Sequence, residues 1–184
     1  MARALQRREF GAITTEWTTR ASGFLLGRRT YEIFAAHWPK VTDPADAIAG
    51  ALNSRPKYLA WRTLKRVDWN GSSLLRGDVA KAVSLLKAEP GGEILVWGSG
   101  DLLQTLFKHD LVDTFRIWQF PLVLGSGQRL FREGAIARGF RLVDTQMTNT
   151  GAVLHVCQRA GGLRYGEFEA GRQPVIFEST AASG

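Results

Sequence analysis

Apolar and polar positions divide this chain into strands and helices that follow one another in turn. Ile94-Leu95-Val96-Trp97 is an unbroken apolar run, the pattern of a strand buried on both faces and therefore inner and parallel. Gly98-Ser99-Gly100 ends the run, and Leu102, Leu103, Leu106 and Phe107 follow at helical spacing. The same succession occurs earlier. Ser22-Gly23-Phe24-Leu25-Leu26 predicts a short buried strand that passes through Gly27-Arg28-Arg29-Thr30 into a helix carrying Tyr31, Ile33, Phe34 and Trp38. Pro39 stops that helix because it has no N–H to donate and its ring clashes with the preceding turn. Ile13 and Trp17, four residues apart, predict an amphipathic helix over residues 10–20, behind a loose, basic lead-in over residues 1–9.

Asp43 is placed to cap a helix with Pro44 at its first position and Ile48 and Leu52 on its apolar side. Residues 57–61 predict a strand ending in Arg62-Thr63, residues 69–72 a turn, and residues 73–76 a further strand. Gly77-Asp78 opens a helix through Val79, Val83, Leu85 and Leu86, stopped by Pro90. Residues 113–124 read as one long strand, with Leu130-Phe131 a buried plug in the loop behind it. Residues 140–147 and 152–159 flank Thr148-Asn149-Thr150-Gly151, a hairpin signal. Leu163 to Glu169 alternates and predicts an edge strand, and residues 180–184 a frayed end. The order predicts one α/β domain over residues 1–160 with a tail over 161–184. Its sheet is mixed, mostly parallel at first and antiparallel at the C-terminal side, with helices on both faces.

Charge adds a preference for anionic partners. The chain of 184 residues carries 24 Lys and Arg against 17 Asp and Glu, a net charge of +7. These bases are dispersed, with no basic run interleaved with aromatics, so nucleic acid is not the expected partner. Cys157 is the only cysteine, which excludes an intrachain disulfide and fits a reducing, cytoplasmic setting. It sits in an apolar strand pattern, as a small buried hydrophobe. His37, His109 and His155 lack metal-ligand spacing, so no metal is expected. No apolar run is long enough to span a membrane.

In an open α/β sheet, ligands gather at the C-terminal ends of the parallel strands. Four loops fall at such ends: Gly27 to Thr30, Trp61 to Thr63, Arg76-Gly77, and Gly98 to Asp101. They offer backbone N–H groups at helix N-termini, hydroxyls and guanidinium groups, a set suited to phosphate. Arg28-Arg29 at a helix start opposes the helix dipole, an unfavourable surface choice that a bound anion would reverse. Together these loops would suit a pyrophosphate bearing a further 2′-phosphate.

Phe24-Leu25-Leu26-Gly27-Arg28-Arg29-Thr30-Tyr31-Glu32, Arg62-Thr63-Leu64, Val96-Trp97-Gly98-Ser99-Gly100-Asp101-Leu102, and Pro121 to Phe131 resemble the bacterial dihydrofolate-reductase-like family. They are most similar to the C-terminal reductase domain of the riboflavin-biosynthesis deaminase/reductase. The resemblance covers about residues 10–159 and implies a three-layer α/β/α fold, NADPH as cofactor, and hydride transfer to a C=N or C=O group. The implied substrate is a pyrimidine, pterin-like or ribosylamino compound; in the riboflavin enzymes it is a phosphoribosylaminopyrimidine. Carried over by motif, Gly27, Arg28, Arg29 and Thr30 would hold part of the cofactor phosphates, and Arg62 and Thr63 would sit by the 2′-phosphate. Gly98, Ser99, Gly100, Asp101 and Leu102 would wrap the pyrophosphate and nicotinamide side. The loop from Gly125 to Phe131 is expected to be structural.

Two departures accompany the resemblance. The family's usual first strand, ahead of the helix near Phe10, has no counterpart here, and Trp61 stands where a serine is common. A non-catalytic relative that keeps the fold and at most binds a nucleotide is therefore the alternative reading. No catalytic acid is identified; Glu9 and Glu16 are candidates by position only. The hairpin and alternating tail offer a sheet edge, from which a homodimer is expected.

Overall fold

The computed structural model describes residues 2–61, 64, 66–133 and 135–162. In chain order the elements are α1 (Ala2–Arg20), β1 (Gly23–Gly27), α2 (Arg28–His37), a 3-10 turn (Trp38–Lys40), α3 (Ala47–Ser54), β2 (Lys57–Ala60) and β3 (Ser72–Leu74). They continue with α4 (Val79–Ala88), β4 (Ile94–Val96), α5 (Gly100–Lys108), β5 (Thr114–Gln119), β6 (Gly139–Met147) and β7 (Val153–Gly161).

Four strands form a parallel sheet in the order β3-β2-β1-β4. Because side chains alternate along a strand, β1 feeds two cores. Phe24 and Leu26 point to one face, where Tyr31 of α2 and Ala51 and Leu52 of α3 pack with Leu59 and Trp69. Leu25 points to the other, against Val83 of α4 and Leu102 and Leu106 of α5. Phe24, Leu26 and Leu59 are fully buried. Helices thus cover both faces, which is why the β1 and β4 sequences are continuously apolar.

Two cations, buried Lys57 and half-buried Arg55, knit the α2–α3 side. Lys57 is fully buried, and its ammonium donates to the carbonyls of Leu52 at 2.6 Å and Arg55 at 2.8 Å while lying 4.5 Å from the Trp69 ring centre. Burial pushes its pKa down from 10.5 to about 8. The Arg55 guanidinium donates to the carbonyls of Thr18, Thr19 and Ala21. It thereby satisfies acceptors that the end of α1 leaves without intrahelical partners.

β5, β7 and β6 form a second, antiparallel sheet in that order. The mixed sheet expected from the sequence is thus divided in two. Among the described residues β4 hydrogen-bonds to β1 alone and β5 to β7 alone, and a groove of about 680 Å³ separates them. Phe10 and Trp17 of α1, Leu95, Trp97, Leu106 and Trp118 line it. The Glu93–Arg116 ion pair joins the two sides, with Arg116 also 5.2 Å from the Trp17 ring centre. The buried indole N–H groups of Trp97 and Trp118 have no partner among the described residues.

Several expectations are corrected. The lead-in is helical: α1 begins at Ala2. β4 is parallel but lies at the edge of its sheet. The α3 cap is Asp46, which accepts from the Ala49 N–H at 2.9 Å; Asp43 instead accepts from Ala45 in the turn ahead of it. β5 ends at Gln119, just ahead of Phe120-Pro121, because proline cannot extend a ladder. Leu130 and Phe131 are 37% and 47% exposed, so they are no buried plug, although Phe131 still stacks near Phe107 and Phe140. Cys157 is half-buried. The hairpin strands are found, with Gly151 at φ 81° in the turn. The predicted edge strand over residues 163–169 and the end over 180–184 lie outside the described residues.

Candidate functional site

In the order β3-β2-β1-β4, the chain leaves β1 toward β2 on one side, while β4 lies on the other. The crevice beyond the C-terminal ends of β1 and β4 is therefore the topological switch point, the place where open α/β sheets hold ligands. Both glycine junctions open onto it. β1 ends at Gly27, which caps α2, and β4 runs through Trp97 and Gly98 to Ser99, which caps α5.

The junctions are bonded to each other. The Gly27 N–H donates to the Ser99 Oγ at 2.8 Å, and the Ser99 N–H donates to the Thr30 Oγ1 at 3.1 Å. The Ser99 Oγ also lies 2.8 Å from the Trp97 carbonyl and 3.2 Å from Thr30 Oγ1. Two features of the sequence make this closeness possible. Gly98 has φ 51°, and a Cβ there would stand 3.2 Å from Thr30 Oγ1. A Cβ on Gly27 would stand 3.3 Å from Ser99 Cβ. Ser99 itself is left-handed, φ 55° and ψ 42°, at a cost of about 1–2 kcal/mol for a residue with a Cβ.

Neither helix has a side-chain cap at its N-terminus. The first-turn N–H groups, of Arg28, Arg29 and Thr30 on α2 and of Gly100, Asp101 and Leu102 on α5, have no partner within their helices. With the positive ends of two helix dipoles converging there, the crevice is a natural seat for an anion. The first turn of α2 holds no acid, and it carries two exposed arginines. Arg28 bonds Glu32 at 3.1 Å and lies 4.9 Å from the Trp61 ring centre; Trp61 in turn meets Tyr31 edge-on. The indole that replaces the expected serine thus forms a stacking platform beside Arg28.

The remaining sequence-predicted residues divide. Leu102 is buried against Leu25 and Leu106, so only its backbone N–H faces the crevice side of the helix start. Asp101 is exposed and ion-paired with Arg132 at 2.6 Å. Arg62 and Thr63 lie outside the described residues. Glu16 is exposed and accepts from Arg20 one turn along α1; the side chain of Glu9 lies outside the described residues.

The loop expected to be structural reaches the site. A Cβ on Gly100 would stand 3.2 Å from Gln128 Oε1 and 3.9 Å from Arg132 Nη2. Gln104 of α5 fastens that loop by donating to the Leu130 carbonyl at 2.9 Å. No local pattern marks Gln128 and Arg132 as neighbours of Gly100; their proximity to α5 is set by tertiary packing. Among the described residues no cluster of His, Cys, Asp and Glu could hold a metal ion, and no helix is long and apolar enough to cross a membrane.

Residues 6–156 match the family described as the RibD C-terminal domain. The chain is similar to the uncharacterised protein YyaP of Bacillus subtilis strain 168, with 28% identity over 141 residues, 76% of this chain and 74% of that one. Among solved structures it is similar to a protein of Shewanella sp. PV-4 provisionally assigned to riboflavin biosynthesis. The TM-score is 0.63 and the identity 22%, over 81% of this chain and 78% of that one. It is also similar to a pyrimidine reductase-like protein of Corynebacterium diphtheriae, with a TM-score of 0.55 and 10% identity over 81% and 80% of the two chains. These structures share its α/β fold, of the dihydrofolate-reductase type.

Proposed function

The chain belongs to the RibD C-terminal domain family, and from that premise we propose that it is an NADPH-dependent reductase acting on a heterocyclic or ribosylamino substrate. The switch-point crevice carries this reading: two uncapped helix N-termini bonded through Ser99, with Arg28 and Arg29 at the rim. The residues fit the cofactor's charged part. Free first-turn N–H groups take pyrophosphate oxygens, and the exposed guanidinium groups take a monoester phosphate as a fork. The Trp61 face is suited to stack a base beside Arg28. The Gly27 N–H donates to the Ser99 Oγ, so its contribution is the close backbone approach that a residue without a Cβ permits. When bound, the cofactor supplies a hydride. The chain's part is to orient it and to exclude water, so catalysis rests on positioning.

Titration of the purified chain with NADPH, followed by nicotinamide fluorescence, tests the reading. Saturable binding in the micromolar range is expected, and absence of binding at millimolar cofactor overturns it.

A second reading, a relative that binds nucleotide without turning over substrate, is favoured by one observation. The facing edges of β4 and β5 have no strand between them among the described residues, so the sheet beside the crevice is open. Cofactor binding without oxidation by any pterin or pyrimidine substrate would favour it.

A further inference from the structure

The helix that closes the crevice on one side, α5, starts with an acid. Asp101 is the acidic residue of its first turn, and its carboxylate is exposed. An acid there complements the helix dipole. It also stands beside the backbone N–H groups of Gly100, Asp101 and Leu102, which have no partner within the helix and would receive an anion. A carboxylate in that place repels a second negative charge. By itself, Asp101 opposes the use of α5 as an anion seat.

Arg132 counters it. Its Nη2 donates to Asp101 Oδ1 at 2.6 Å, across 31 positions of sequence. The loop that carries Arg132 is fastened to α5 at two points. Gln104 donates to the Leu130 carbonyl at 2.9 Å and to the Gly100 carbonyl at 3.2 Å, so one side chain ties the loop to the first turn of the helix. Phe131, the residue before Arg132, has its ring centre 5.2 Å from that of Phe107 in the last turn. Held in this way, Arg132 Nη2 comes within 3.9 Å of the place where a Cβ on Gly100 would stand.

Folding stability does not account for this arrangement. The Asp101 and Arg132 side chains are 82% and 41% exposed, and an ion pair so open to water contributes little to stability. Its effect on charge is direct: it turns a negative charge at the mouth of the crevice into a neutral pair. A guanidinium also carries more N–H donors than one carboxylate oxygen takes up.

We propose that Arg132 is a positioning residue of the crevice, which neutralises Asp101 and so allows the first turn of α5 to accept the phosphate of a bound dinucleotide. The inference rests on the reading of the crevice as a cofactor phosphate site. It adds to that site a residue from the loop after β5, and it separates two parts of Asp101: the backbone N–H serves the anion, and the carboxylate is offset by Arg132.

The test is a double-mutant cycle on NADPH affinity, measured by fluorescence titration of the full chain. Arg132→Ala should weaken binding by about tenfold, the scale of an uncompensated like charge beside a ligand. Arg132→Ala with Asp101→Asn should return to within about threefold of wild type, because the charge that Arg132 offsets is then gone. Asp101→Asn alone should bind at least as tightly as wild type, and Arg132→Lys, which keeps the positive charge, should retain most of the affinity. Urea midpoints of all four variants should stay close to wild type. Wild-type affinity in Arg132→Ala overturns the inference. Equal weakening in Arg132→Ala and in the double variant also overturns it, since Arg132 then acts by holding the loop or touching the ligand and not through Asp101. A wild-type chain that binds no NADPH gives a different result: it removes the phosphate reading of the crevice, and this inference with it.

Discussion

The Ser99 hydroxyl oxygen lies 2.8 Å from the Gly27 backbone nitrogen, and this bond fastens the start of α5 to the start of α2. The two residues are far apart in sequence, one after β4 and the other at the end of β1, which are neighbours in the sheet. Removing the hydroxyl should leave the half-buried Gly27 N–H unsatisfied. Ser99→Ala is expected to lower unfolding free energy by about 1–3 kcal/mol. Ser99→Gly loses the same bond but relieves the left-handed backbone, recovering about 1 kcal/mol. Urea unfolding of the three proteins should rank wild type above Ser99→Gly above Ser99→Ala. Equal midpoints would show that the bond does not hold the junction.

Arg28 and Arg29 start α2 against the helix dipole, an arrangement that a bound phosphate would reverse. Arg28→Ala with Arg29→Ala should weaken NADPH binding by about tenfold or more, since charge-assisted hydrogen bonds contribute about 1.5–3 kcal/mol each. Removing two cations should also flatten the salt dependence of the dissociation constant. Fluorescence titration at two ionic strengths measures both. The exposed Arg28–Glu32 pair contributes little, so the variant should unfold at nearly the wild-type midpoint. Unchanged affinity would remove the phosphate role from this helix start.

The parallel half of the fold was legible because its signals are local. Apolar runs, glycine junctions and helical spacing each name an element, and strand–helix alternation orders them. The crevice followed, since Gly27, Thr30, Gly98 and Ser99 do meet as their motifs suggested. Long-range geometry was not legible. Nothing in Ile94 to Val96 says that β4 lies at an edge, because helices cover both its faces and the run is apolar either way. Gln128 and Arg132 approach Gly100 only through the packing of their loop on α5. Asp43 and Asp46 are equally good caps in sequence, and the turn through Pro44 decides between them. The half-exposed Leu130 and Phe131 read as core because apolarity alone does not tell a buried side chain from an uncovered patch.

Gly98 is a position where backbone and space both exclude a side chain. Its φ is 51°, and an added Cβ would stand 3.2 Å from the Thr30 hydroxyl oxygen that accepts from Ser99. Gly98→Ala is therefore expected to cost about 1–2 kcal/mol from the left-handed backbone, with more if Thr30 must move. Gly91→Ala, in open space with no left-handed φ, is the control and should be nearly neutral. Thermal unfolding of both, with cofactor titration of Gly98→Ala, checks this. A Gly98→Ala protein as stable as Gly91→Ala would contradict the geometry.

Lys57 should give stability a pH dependence of known sign. Its ammonium is fully buried, and burial holds its pKa at about 8 against 10.5 when exposed. The unfolded chain therefore binds this proton more tightly than the folded one. Between about pH 8 and 10.5 the unfolded state carries more protons, so unfolding free energy should rise with pH, by at most about 1.4 kcal/mol per unit from this group. Below pH 8 both states are charged and the slope from Lys57 vanishes; the gain is complete above 10.5 and is lost as pH falls through 8. Other groups titrate in this range, so the measurement is a difference. Lys57→Met keeps the apolar length of the stem and removes the titration. Chemical unfolding of both proteins from pH 7 to 10.5 should show wild type gaining on Lys57→Met as pH rises. The bonds from Nζ to the Leu52 and Arg55 carbonyls and the Trp69 ring favour the charged form. If they outweighed burial, the two profiles would run parallel or diverge in the opposite direction.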